Sequence, residues 1–306
     1  MNEPVVFAER CGRNHSVNYQ CRQVVFSGRS EYQSIDFVDT LEYGRMLFLD
    51  GVAQSSERDE RIYHELMVHP ALLTHPHPTS VCVIGGSEGA TIREIFKHPE
   101  VRRVVMVDID EQLVGLCRQH LPHYSAGAYD DPRLTLLFTD GRAFLEKTDQ
   151  KFDVILVDLS DPVPDSPSVM LFTREFYQTV FNRLEPDGVA CFQGESLQPW
   201  RVELHARMVN TLAAVFPVVT AYPYALPCFH EIHAFILASR QEDPRRMNMG
   251  QKLADKNLDL VYLSPTFLPG LFFIPGYVEK AYGRYTEILT DAKPLVVSGY
   301  RFIEKE

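Results

Sequence analysis

The chain has 306 residues, 45% of them hydrophobic and 23% charged, with a formal net charge of -11 at pH 7; this composition belongs to a globular protein and excludes a disordered one. The acidic balance argues against a non-specific nucleic-acid binder, which needs a basic surface to meet phosphates, and slightly favours cationic partners. The N-terminus MNEPVVFAERCGRNHS lacks a basic start followed by an apolar core, and no apolar run approaches about twenty residues, so no membrane partner is expected and the chain reads as cytoplasmic.

In chain order, residues 1–57 read as a small antiparallel β domain: YQSIDFVDT and RMLFLDG alternate in hydropathy and are punctuated by EYG and DG turns. RDERIYHELMVHPALLTH then spaces Ile62, Leu66, His69, Leu72 and Leu73 at helical intervals. THPHP, Thr74 to Pro78, fits a loop before a strand better than a metal site. From Ser80 apolar strands alternate with helical patterns: SVCVIGG, a helix from Ala90, RRVVMVDID, a helix through EQLVGLCRQHL, RLTLLF, a helix from Gly141, FDVILVDLSDP, a helix through REFYQTVFNRL, and GVACFQGES. That rhythm predicts an α/β fold over residues 58–306, a Rossmann-like, doubly wound parallel sheet of the S-adenosylmethionine-methyltransferase type with a C-terminal extension. HAFILAS reads as a late strand, and the segment after Leu258 is not readable from pattern. Six cysteines (Cys11, Cys21, Cys82, Cys117, Cys191, Cys228) lack paired spacing and read as buried free thiols, neither disulfides nor zinc ligands.

Ligands of such sheets sit at the carboxyl ends of strands, where GGSEGA, DID, TDG and DLSDP all fall. Gly85, Gly86 and Gly89 permit a tight turn and close approach of a ligand, although such a turn also serves simply to pack strand on helix. Asp108, about twenty residues on, stands where a carboxylate can accept both hydroxyls of a ribose; Asp110 is the other candidate, with a register that suits a helix N-cap. Asp140 can accept from an adenine amino group while Gly141 leaves room for the ring, or it is another cap. Together these favour an adenosine ligand, and the spacing of the glycines departs from G-x-G-x-x-G, which favours an S-adenosyl sulfonium compound over NAD. Asp158 and Asp161, following an apolar strand, would face Glu88 across the sheet edge. Three acids in a poorly hydrated site raise one another's pKa unless a cation is present, so the site asks for an amine.

These residues resemble the polyamine aminopropyltransferases, the family of spermidine synthase. GRMLFLDGVAQSSERDERIYHELMVHPAL, Tyr32-Gln33, VVMVDIDEQLV, DDPRLTLLFTDGRAFL, FDVILVDLSDP, LFTREFY and QGES fall in that family's order over roughly residues 20–240. The resemblance implies aminopropyl transfer from decarboxylated S-adenosylmethionine, a co-substrate rather than a cofactor, to putrescine, spermidine or agmatine, with 5'-methylthioadenosine as second product and no metal. It implies donor contacts at Gln33, Gly85, Gly86, Asp108, Asp140 and Gly141, and amine contacts at His64, Glu88 and Asp161. Asp158 resembles the proton acceptor and Tyr63 the tyrosine beside the attacking nitrogen. A homodimer or homotetramer is implied too.

Ser87 replaces the third glycine of the usual GGG turn. LPCFHEIHAF, Leu226 to Phe235, replaces the IPTY stretch of many putrescine-using members, putting Phe229 where an acceptor-lining tyrosine stands, with Glu195, His230, Glu231 and His233 as candidates for the distal pocket. Loop length, GSEGA and DLSDPV look more like the branch of thermospermine synthases and the aminopropyltransferases of thermophiles. The alternatives are a small-molecule methyltransferase using intact S-adenosylmethionine, against which Glu88 argues, and an idle homologue that senses a polyamine or nucleoside.

Overall fold

The computed structural model describes residues 5–11, 15–162, 167–294, 297–298 and 301–302; the outer ends of the two expected domains, 1–4 and 303–306, lie outside them. Five strands, β1 (Val5–Arg10), β2 (Ser16–Arg29), β3 (Ser34–Thr40), β4 (Gly44–Leu49) and β5 (Val52–Ser56), form an antiparallel sheet in sequence order. Helix α1 (Glu60–Thr74) follows after three residues and is buried along most of its length.

The second sheet is assembled from β6 (Ser80–Gly85), β7 (Arg103–Asp108), β8 (Leu134–Phe138), β9 (Phe152–Asp158), β10 (Leu184–Ser196), β11 (Val218–Leu226) and β12 (Glu231–Ser239) in the order β11-β12-β10-β9-β6-β7-β8. Helices α2 (Ala90–Phe96), α3 (Glu111–His120), α4 (Pro122–Ser125), α5 (Gly141–Lys147), α6 (Arg174–Arg183) and α7 (Glu203–Ala213) fall between its strands, and α8 (Met249–Lys256) and α9 (Gly276–Arg284) follow it. Strands β6, β7, β8, β9 and β10 run parallel, but β12 is antiparallel to both β10 and β11. The sheet is therefore mixed at one edge instead of wholly parallel as its rhythm suggests. Strand β11 and helix α7 are additions to the sequence reading; Pro223, which cannot donate to a ladder, sits in β11 at the sheet edge, where it is tolerated.

Both faces of the central strands are covered, which is why they read as unbroken apolar runs. Val81, Val83, Met106 and Leu156 pack on the side of α1 and the N-terminal sheet, while Cys82, Ile84, Val107 and Ile155 pack on the side of α6 and α7. The six cysteines are unpaired, all buried but the half-buried Cys11. The chain reverses its direction of winding between β6 and β9, the crevice where such sheets bind ligands.

The C-terminal segment is tied to α1. The buried carboxylate of Glu65 accepts the backbone N–H groups of Val261, Tyr262 and Leu263 at 2.7, 2.9 and 2.9 Å.

Candidate active site

A cavity of about 370 Å³ opens at the carboxyl ends of β6, β7 and β9 and extends to the N-terminal sheet. Asp50, Glu88, Asp108, Asp110, Asp140, Asp158 and Asp161 line it; Arg29 and His233 are the basic side chains among its described lining residues. An apolar-walled space with that excess of carboxylates selects for cations.

Backbone geometry places Glu88. Gly85, Gly86 and Gly89 have φ of +83°, +80° and +79°, and a Cβ on Gly85 would lie 2.1 Å from the carbonyl oxygen of Asp158, so the turn after β6 closes against β9 only with glycine there. Ser87, in place of a further glycine, accepts at its carbonyl from the Tyr129 hydroxyl at 2.7 Å. The Glu88 carboxylate takes a short hydrogen bond from Ser55 of β5 and lies 3.8 Å from Nε2 of His64. Burial pushes Glu88 up to about 7, with His64 and Ser55 opposing. His64 Nδ1 meets two acceptors, the Glu60 carbonyl at 2.7 Å and Glu60 Oε2 at 2.9 Å, so that nitrogen carries the hydrogen and Nε2 is left for Glu88. Burial works against the imidazolium, but Glu60 outweighs it and the His64 pKa is raised. Glu60 is itself clamped by both terminal nitrogens of Arg93, each at 2.9 Å.

At the end of β7, Asp108 accepts from the Asp110 N–H at 2.9 Å, and burial raises it to about 6. Asp110 caps α3 through Leu113 N–H at 2.9 Å and also accepts from Ser30 Oγ at 2.6 Å and Gln33 Nε2 at 3.1 Å. Cap and cavity wall are thus compatible, and the cap fixes Gln33. Asp140 likewise caps α5, accepting from Ala143 N–H at 2.7 Å, while lining the cavity. A Cβ on Gly141 would meet Ile84 Cγ2 at 2.5 Å, so glycine there lets α5 start directly over β6.

Asp158 receives one hydrogen bond on each oxygen, from Tyr63 at 2.8 Å and from Thr91 at 2.6 Å. Burial, then the Asp158 charge, raises the Tyr63 phenol well above its usual value, so it stays a donor. Burial also raises Asp161, which is hydrogen-bonded to Glu195 and accepts from Gln193 Nε2 at 3.3 Å. Glu195 is raised well above the carboxylate range by burial and by Asp161, so the two carboxyl groups share a proton.

Phe229 and His233 line the cavity. His64, Glu195 and Glu231, placed by the sequence among the amine-lining residues, are not among them, and neither is His230. Strand β10 carries an irregularity between Gln193 and Ser196, with Glu195 at φ +67°, and this sets Glu195 behind Asp161. Glu231 is held away by Arg201 at 2.7 Å and Ser196 Oγ at 2.7 Å. Ser55, Glu60, Thr91, Arg93 and Gln193 are additions to the sequence-read site; Ser55, Glu60 and Gln193 lie in the motifs that carry the resemblance, but only the fold brings Glu60 and Arg93 to His64. Among the described residues no cluster of three or more histidine, cysteine or acidic side chains is arranged to hold a metal.

Residues 60–248 match the family model described as the spermine/spermidine synthase domain, and residues 5–57 the spermidine synthase tetramerisation domain. The chain is 45% identical over 286 residues to polyamine aminopropyltransferase 2 of Pseudomonas aeruginosa, covering 91% of this chain and 81% of that protein. It is 36% identical over 287 residues to thermospermine synthase ACAULIS5 of Arabidopsis thaliana, covering 92% and 84%. A spermidine synthase solved in complex with the transition state analogue AdoDATO superposes with a TM-score of 0.87 at 28% identity, over 93% of this chain and 98% of that one. The Thermotoga maritima spermidine synthase does so with a TM-score of 0.84 at 29% identity, over 93% and 97%.

Proposed function

Because this chain belongs to the spermine/spermidine synthase family, the polyamine aminopropyltransferases, we propose that its cavity holds decarboxylated S-adenosylmethionine along β6, β7 and β8 and an amine acceptor between Tyr63, Asp158, Asp161 and Phe229. Aminopropyl transfer is the activity its relatives share, and the comparisons support it over methyl transfer from intact S-adenosylmethionine. The observation that carries the placement is the ring of carboxylates around the open cavity, with Arg29 and His233 as its described basic lining.

In this reading Asp108 takes the ribose hydroxyls, Asp140 the adenine amino group, and Gln33 stands beside them. Gly85, Gly86 and Gly141 allow the nucleoside to lie against backbone. Glu88, held in place by His64 and Ser55, receives the cationic propylamine; a carboxylate there attracts that group and repels the carboxylate that intact S-adenosylmethionine would bring.

The acceptor nitrogen attacks the propyl carbon next to the sulfonium. A carbon–nitrogen bond forms, the carbon–sulfur bond breaks with its electron pair going to sulfur, and neutral 5'-methylthioadenosine leaves. The thioether departs unaided, so no general acid, metal or further cofactor is assigned. The difficulty lies at the nucleophile, since an alkylamine with a pKa near that of lysine, about 10, is mostly protonated at neutral pH. Asp158, oriented by Tyr63 and Thr91, lines up the nitrogen and accepts its proton. Asp161 receives the amine beyond, with Glu195 and Glu231 behind the wall.

The acceptor is putrescine, spermidine or agmatine. No helix among the described residues is long and apolar enough to cross a membrane; we read the enzyme as cytoplasmic, without a nucleic-acid or membrane partner, and assembled as a homodimer or homotetramer. The test is to supply decarboxylated S-adenosylmethionine with each amine in turn, follow methylthioadenosine release and identify products against isomer standards. Release with one of the three amines supports the reading; release with none of them removes the assigned acceptors.

A further inference from the structure

The loop between β11 and β12 carries an aromatic wall of the cavity, and the side chains that hold it come largely from the N-terminal sheet. The Phe229 ring lies 6.5 Å from Tyr63 and 5.1 Å from His233, centroid to centroid. On its N-terminal side, Cys228 N–H donates to Asp59 Oδ2 at 2.8 Å. On the other, His230 turns the chain with φ +56° and places Nε2 3.1 Å from the Tyr19 hydroxyl of β2.

Tyr19 in turn lies 2.6 Å from Glu9 Oε2, and Glu9 Oε1 accepts Ala53 N–H at 2.9 Å. The carboxylate can only accept, so the phenol hydrogen goes to Glu9, and the phenol oxygen accepts from His230 Nε2–H. Glu9 and Tyr19 are 3% and 4% exposed, which makes each of these bonds costly to leave unmade. A polar relay that starts on two buried side chains, Glu9 and Tyr19, and ends on the exposed His230 spans 221 positions of sequence and does not serve the N-terminal sheet alone.

We propose that the relay Glu9, Tyr19, His230 makes the N-terminal sheet a determinant of acceptor specificity, by fixing where Phe229 stands. All three are positioning residues. The proposal rests on the reading of Phe229 as part of the acceptor end. Because residues 5–57 match the family's tetramerisation domain, the unit that provides Glu9 and Tyr19 also reaches into substrate choice.

The experiment uses the full chain and the two best-accepted of putrescine, spermidine and agmatine, with KM for donor and amines measured separately and melting temperature recorded. His230→Gly is the cleanest cut, since glycine tolerates the left-handed backbone and Tyr19 keeps Glu9 as partner. It is expected to change the ratio of kcat/KM between the two amines by about threefold or more, with donor KM within about twofold. Tyr19→Phe should move the ratio in the same direction, and it carries the test alone if His230→Gly does not fold. An unchanged ratio, or equal shifts in donor and acceptor KM, overturns the proposal. Phe229→Ala separates the layers: if it leaves the ratio untouched, the reading of Phe229 falls and this inference with it; if it moves the ratio and the relay variants do not, the relay alone falls.

Discussion

The two ends of the cavity keep buried acids in different ways. At the donor end Glu88 faces a histidine whose other nitrogen is pinned by Glu60, itself clamped by Arg93, so the neighbouring imidazole is part of the scaffold. At the acceptor end Asp161 is backed by a second carboxyl group, Glu195, and the pair shares a proton. The donor end is also made of residues that cap helices, Asp110 and Asp140, whereas the acceptor end is put together from separated segments: β9, β10 and the β11–β12 loop. A site for one invariant co-substrate can be merged with the framework. A site for an amine of variable length is better built from parts that shift without unfolding the sheet.

The largest test of this contrast falls where the ends meet. Asp158→Asn is expected to lower turnover by roughly 10²- to 10⁴-fold while donor binding, measured by calorimetry, stays within a few-fold; turnover at the unaltered rate would take the proton-accepting role away from Asp158. Next comes Glu88→Gln, which should narrow the affinity gap between decarboxylated and intact cofactor by about tenfold, the scale of one charge-assisted hydrogen bond. If the gap keeps its size, discrimination resides elsewhere.

The third test is in pH. Burial lifts Glu88 to about 7 in the donor-free protein, so near neutrality a good share of molecules hold a proton there. An ammonium nearby favours the carboxylate, so donor binding must release that proton, and affinity should fall as pH drops below about 7, by up to tenfold per unit. The same group makes the donor-free fold less stable as pH rises from about 4.5 towards 7, because the folded state binds the extra proton over that window. Calorimetry in buffers of different ionisation enthalpy reads the release directly, and a buffer-independent enthalpy at pH 7 would contradict it.

The smallest effect separates the acceptor end's device from the donor's. Because the pair shares one proton, a glutamine at 195 keeps a neutral donor beside Asp161: Glu195→Gln should leave acceptor KM within about threefold at neutral pH, and Glu195→Ala should raise it by more. A large loss in the glutamine variant would mean that position 195 works as an anion.

Much of the donor end was legible in the sequence because its signals are local. Strand ends carry Asp108, Asp140 and Asp158, and the positive φ of Gly85 and Gly86 is what a tight strand-to-helix turn requires. The acceptor end was less so. Glu195 belongs to a quoted motif, but its burial behind Asp161 depends on an irregular stretch of β10 and a left-handed backbone that no pattern of side chains announces. Glu231 looks available until Arg201, thirty residues away, claims it. Strand β11 contains a proline, and its assignment depends on being at an edge, a property of the sheet and not of the segment. Ser55 and Thr91 are small hydroxyl residues without a periodic signal; only the closure of β5 and α2 around the cavity gives them roles.

One turn of α1 ends up with three separate duties. Tyr63 points to the nucleophile's partner and His64 to Glu88, while Glu65 holds the backbone of residues 261–263. The C-terminal segment is thereby a mechanical strap on the helix that aims Tyr63 at Asp158. A nick or truncation ahead of residue 261 would leave a buried carboxylate without its three donors, and slack in that strap would be felt as misalignment at the reacting nitrogen, far from the cut.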